Sequence, residues 1–168
     1  MPKCTDEPVW REMPQHVLYD VDAETISFKS LTKTGKYDTG TVTFRAKTGK
    51  RIDLNELHES VWATRLSKGT SSGPVSLEVT VAGVIVVGDK ETSLRVAAAE
   101  PEFVLAQNPE TNVKNAFDEL KAALARGDKA TSVSGRLDGW SGRWPEMLKK
   151  LPPQPRRILV TRFEVAKD

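Results

Sequence analysis

Residues 75–87 read VSLEVTVAGVIVV. Val75, Leu77, Val79 and Val81 fall on one side of an extended chain, the period of a strand with one buried face. After Gly83 the run is apolar on both sides. A glycine inside a strand marks a bulge or a sharp bend. The stretch therefore predicts one long strand, bent at Gly83.

After the turn GDKE (88–91) come two more extended runs, TSLRVAA with Leu94 and Val96 in phase and EFVLAQ with Phe103 and Leu105 in phase. Asn108 and Pro109 predict a helix start. Val113, Ala116, Phe117, Leu120 and Leu124 make one face of that helix, and Gly127 ends it. ATSVSGRLD (130–138) and RILVTRFEVA (157–166) are the last two strands. Three strands, a helix and two strands, the first of them bent, resemble the element order of an OB-fold, a five-stranded Greek-key barrel with its helix between strands three and four.

The first half is organised differently. Val9, Met13 and Val17 line a short helix bounded by Pro8 and Pro14, and HVLYDVDAETISFKSL (16–31) is rich in extended-chain residues. TKTGKYDTG (32–40) is turn chemistry. GTVTFRA (40–46) alternates Val42 and Phe44 against polar neighbours, which predicts an antiparallel partner for the strand before it. In IDLNELHESVWATRLSKG (52–69), Asp53 is placed to cap a helix, Glu56 holds the capping-box position, and Ile52 with Leu57 has staple spacing. Leu54, Leu57, Val61 and Leu66 form its inward stripe and Gly69 its stop.

From Val9 to about Val81 this order is similar to the ferredoxin-like domain of the heavy-metal-associated type, with Val17, Val21 and Asp22 resembling that family's second strand. The resemblance implies metal handling through a CxxC pair on the first loop. Here Cys4 is the sole cysteine, so the residues that would carry that activity are missing. The expectation is an α+β chain of two modules: a ferredoxin-like βαβ-containing module over residues 1–74, followed by a five-stranded OB-like barrel over residues 75–168. Whether the strand from residue 75 serves both modules is open.

The chain's 168 residues suffice to bury a core without metal or disulfide staples. With 25 basic and 23 acidic side chains, a net of +2, no overall field recruits a polyanion. A nucleic-acid partner must therefore be held by a local patch. No apolar run is long enough to span a bilayer and the first residues lack an apolar signal region, so the chain as written reads as soluble and cytoplasmic, or as exported if a leader has been removed.

Motifs for catalysis are weak. GTSSG (69–73) has the GxSxG pattern around Ser71, but that chemistry needs strand, turn, then helix, and here the order is helix, loop, strand. KTGK occurs at 33–36 and 47–50 without the earlier glycine or following hydroxyl of a phosphate loop, and both copies read as basic turns. His16, His58 and Cys4 have no metal-ligand spacing, and His58 reads as partly exposed on its helix. Glu100, Glu102, Asp118, Glu119, Asp128 and Asp138 read as solvated. No catalytic residue, metal ligand or cofactor is assigned.

The richest stretch is SVSGRLDGWSGRW (132–144) and its continuation. In the barrel reading, residues 139–156 join strands four and five, a connection with which OB-folds grip oligonucleotides or sugars. It holds Trp140, Arg143, Trp144, Lys149 and Lys150, with Arg157 just beyond it. Rings interleaved with cations suit a single strand, whose bases stack while its phosphates meet the charges. The favoured reading of the same residues is nonetheless a packed lid, because Trp144, Met147, Leu148 and Leu151 line one side of a short helix. The expected function is non-enzymatic binding of an unidentified protein or oligonucleotide partner, with no membrane involved. Single-stranded nucleic-acid binding through the barrel is the alternative, and a metal-handling protein that has lost its CxxC is the third reading.

Overall fold

The computed structural model describes residues 20–30, 40–64, 76–96, 103–110, 115–139 and 155–166. The protein is α+β, and its chain divides into two compact units, Met1–Pro74 and Val75–Asp168.

In the first unit, β1 (Val21–Ser30) and β2 (Gly40–Ala46) pair antiparallel, from Val21 opposite Ala46 to Ser30 opposite Gly40. β2 alternates half-buried Val42, Phe44 and Ala46 with exposed Thr41, Thr43 and Arg45, as the sequence predicts. Between Asp22 and Ser27 the register shifts. Local chemistry supports this bulge: the Thr25 hydroxyl donates to Asp22 O at 2.7 Å and accepts from Arg45 N–H at 2.9 Å, standing in for a ladder partner. Lys47 to Lys50 then form a turn closed by Lys50 N–H to Lys47 O at 2.9 Å, with Gly49 at φ 73° in the region that favours glycine. This second KTGK copy is the basic turn expected of it.

Helix α1 (Leu54–Ala63) starts where the sequence places it. Asp53 Oδ1 accepts from Asn55 N–H at 2.7 Å and Glu56 N–H at 3.1 Å, satisfying two of the free amides of the first turn. Leu57, His58, Ser60 and Val61 are its buried positions. The helix ends earlier than the predicted stop at Gly69. Thr64 is extended, its N–H donates to Ser60 O and Val61 O, and its hydroxyl donates to Ser60 O at 2.7 Å, closing the last carbonyls. Asp53→Ala is expected to cost about 1 kcal/mol and Asp53→Asn much less, since asparagine keeps the capping oxygen. Urea denaturation of the three proteins checks this, and equal losses for the two variants would exclude a capping role.

The second unit holds β3 (Glu78–Ala82), β4 (Val84–Val87), β5 (Thr92–Arg95), β6 (Phe103–Gln107), helix α2 (Asn115–Ala125), β7 (Ala130–Leu137) and β8 (Arg156–Val165). They form a six-stranded sheet in the order β3-β7-β8-β6-β5-β4, antiparallel throughout except for the parallel pair β6 and β8. A parallel pair needs a crossover, and the chain between β6 and β8 supplies it as α2 and β7. Six strands replace the five expected because Gly83 divides the long apolar stretch. β3 pairs with β7, β4 pairs with β5, and Gly83 alone lies between them. A Cβ at Gly83 would run into the Arg95 carbonyl oxygen and lie 3.2 Å from Leu94 Cδ1, so the backbone approaches there as only glycine permits. Among the described residues β1 and β2 make up a two-stranded sheet.

One core row crosses four strands: Thr92, Leu105, Ile158 and Leu137 are successive partners and all are buried. Leu94 and Phe103 are buried as their phase predicts, Val133 and Val160 are buried too, and Val79, Val81 and Val96 are only half-buried. Val79 and Val81 lie on a strand at one end of the sheet order, and Val96 lies just past the end of β5.

Helix α2 buries Leu120 and Ala123. Asn108, expected to start it, is instead almost fully buried, and its side chain accepts from Glu110 N–H at 3.0 Å in a local turn. The predicted stop at Gly127 holds. Gly127 (φ 91°) donates to Leu124 O and Asp128 N–H donates to Ala123 O, the paired bonds of a Schellman cap.

Candidate functional site

The antiparallel ladder of β7 and β8 runs out at Leu137 opposite Ile158 and is closed by Asp138 N–H donating to Arg157 O at 2.9 Å. Gly139 follows at φ 81°, and its N–H donates to Asp138 Oδ1 at 3.0 Å. A tight Asp-Gly corner thus turns the chain out of the sheet. The connection that leaves at Gly139 returns at β8, so both of its ends are held beside Arg157. Trp140, Arg143, Trp144, Lys149 and Lys150 lie outside the described residues, and Arg157 is the predicted binding residue that falls within them.

Arg157 is exposed and sits on a strand with neighbours on both sides, which holds its Cα firmly. Val86, Ser93, Val104 and Arg157 are successive partners across β4, β5, β6 and β8 and therefore share one sheet face, opposite the core row. Val84, two residues from Val86 along β4, is 64% exposed. Arg157 Nη1 lies 3.7 Å from Asp138 Oδ2, with both side chains about half in solvent. That is a loose ion pair of the kind worth little in water. Arg136, two residues before Asp138, is bound differently: its Nη1 donates to Glu110 Oε1 at 2.6 Å. Such a short charge-assisted bond ties Arg136 of β7 to the segment that follows β6.

In the sequence Asp138 reads as one more solvated carboxylate, and its place beside Arg157 is missed. The Asp-Gly pair signals a turn, but the contact depends on which residue of β8 stands opposite, which is a matter of register. Asp118, Glu119 and Asp128 are exposed as expected, and Asp128 is paired with Arg126 at 3.0 Å. Glu100 and Glu102 lie outside the described residues.

The first unit offers a strand, a turn and a helix N-terminus in the order a phosphate loop uses. Here Asp53 occupies the amides that a phosphate would need. The depression of about 230 Å³ beside it is lined by Asp20, Asp53 and Glu56 together with Arg51 and Ile52, an acidic lining that repels anions.

His58 departs from expectation. It is 7% exposed, one position from Leu57 on the inward stripe, and its Nε2 accepts from Trp62 Nε1–H at 3.1 Å with the rings edge to face. This is an internal contact one helical turn apart. Among the described residues no group of three or more His, Cys, Asp or Glu could hold a metal ion, and no helix is long and apolar enough to cross a membrane. Cys4, His16, Ser71 and the first KTGK copy, like the predicted helix over Val9 to Val17, lie outside the described residues. Comparison with protein families, with curated proteins and with solved structures finds no match to this chain.

Proposed function

We propose that the protein is a non-enzymatic binding protein that engages a single-stranded nucleic acid through its second unit. In this reading β3 and β4 count as one bent strand, and residues 75–168 make a five-stranded barrel of OB type. Four features support it: the strand order, the parallel pairing of β6 with β8, the helix between β6 and β7, and the continuity of β3 with β4 through Gly83. The observation that carries the binding reading is the closure of the β7–β8 ladder at Asp138 and Arg157. It ties both ends of the segment bearing Trp140, Arg143, Trp144, Lys149 and Lys150 to a strand with an exposed arginine. Bases stack on indole rings and phosphates pair with the cations, and neither contact reads sequence.

Fluorescence anisotropy of a labelled oligothymidylate tests the proposal. Binding is expected to weaken steeply between roughly 50 and 200 mM salt, and Arg143→Ala or Lys149→Ala should each lower the slope of log affinity against log salt by about 1. Trp144→Ala should weaken binding with an unmoved melting curve. A Trp144→Ala protein that melts far lower and binds as well per folded molecule identifies a packed lid instead. Absence of salt-dependent binding in the wild type ends the nucleic-acid reading.

A further inference from the structure

We infer that Asp138 is a built-in competitor for the phosphate site at Arg157, and so sets how tightly the second unit holds a single-stranded polyanion. This rests on the binding reading above and names a residue that limits affinity within it.

In the free protein the Arg157 guanidinium already faces an anion, the Asp138 carboxylate, at 3.7 Å. The two are brought together by backbone: Asp138 N–H donates to Arg157 O, so neither side chain needs the ion pair to be in place. The pair is also loose and about half in solvent, so exchanging the carboxylate for a phosphate costs little. The exchange is not free, because an incoming phosphate meets the carboxylate's negative charge beside the cation it seeks. Asp138 has a separate structural task, since its Oδ1 accepts from Gly139 N–H at the positive-φ corner. Asparagine retains that oxygen and loses the charge, which separates the two roles. Asp128 provides a matched control: it too is an exposed carboxylate paired with an arginine, Arg126 at 3.0 Å, but it sits at the end of α2, away from the β7–β8 corner.

The test compares wild type, Asp138→Asn, Asp128→Asn, Arg157→Gln and the Asp138→Asn/Arg157→Gln double variant for binding of a labelled oligothymidylate at low salt. Asp138→Asn is expected to bind about threefold to fivefold more tightly, the span that releasing a surface ion pair allows. Arg157→Gln should bind more weakly, and in its background Asp138→Asn should lose most of its gain, the signature of coupling between neighbours. Asp128→Asn should change affinity by less than half as much as Asp138→Asn. Equal tightening in Asp128→Asn and Asp138→Asn would mean that net charge alone acts, and would overturn the inference. So would unchanged or weaker binding by Asp138→Asn when the wild type binds. If neither the wild type nor any variant binds, the nucleic-acid reading itself fails and the inference falls with it.

Discussion

Gly135→Ala is expected to destabilise the second unit by about 3 kcal/mol or more, at the upper end of what overpacking costs. Gly135 is buried in β7, opposite Val160 and at the register shift between Ser134 and Gly135. A Cβ there would overlap the Leu159 carbonyl oxygen and stand 2.6 Å from Ile158 Cγ2 and 2.9 Å from the Leu159 carbonyl carbon. Two of those three atoms are backbone of β8, the strand that pairs with both β7 and β6, so relief requires the sheet to move. Gly49→Ala is the informative contrast. Its φ of 73° penalises a side chain, but nothing lies within 4 Å of the added atom, and the cost should be about 1 kcal/mol. Denaturant unfolding of both variants measures the difference. Similar small losses for the two would mean that β7 and β8 leave room for a methyl group between them.

Leu120→Ala should cost about 2–5 kcal/mol, the range for truncating a buried leucine where the site collapses incompletely. Leu120 is fully buried, and Ala123, its buried neighbour one turn on, has no spare volume to fill the space. For a unit of this size a loss of about 3 kcal/mol corresponds to a fall in melting temperature of roughly 12–24 °C. Leu124 lies on the same predicted stripe but is only half-buried, and Leu124→Ala should cost less than half as much. Calorimetry of the two variants checks the orientation of α2. A larger effect at Leu124 would mean that the helix is rotated to bury Leu124 in place of Leu120.

Where a pattern is local, it was legible in the residues. The strands around Val42, Leu94 and Phe103 follow from apolar spacing, since alternate side chains of an extended chain must point to opposite faces. The Asp53 cap and the Gly127 stop follow from groups that satisfy the backbone within a few residues of themselves. Gly83 reads as a bend for the same reason. Nearby residues also mislead: Asn108 looks like a helix start, and its side chain does close a local turn, but residues 108–110 are not helical.

Tertiary structure decided everything that depends on which strand lies next to which. No spacing in the sequence says that β6 runs parallel to β8, that β3 and β4 pair with different neighbours, or that His58, whose contact with Trp62 is local to the helix, is buried. The candidate site divides along the same line. Its rings and cations were readable as residue types around residues 140–157, but the pairing of Asp138 with Arg157 was not. These two residues are nineteen positions apart and meet because of the register of β7 on β8, with Leu137 opposite Ile158. That register reflects the packing of two buried side chains against a shared core, an energy that belongs to the assembled sheet and to neither strand alone.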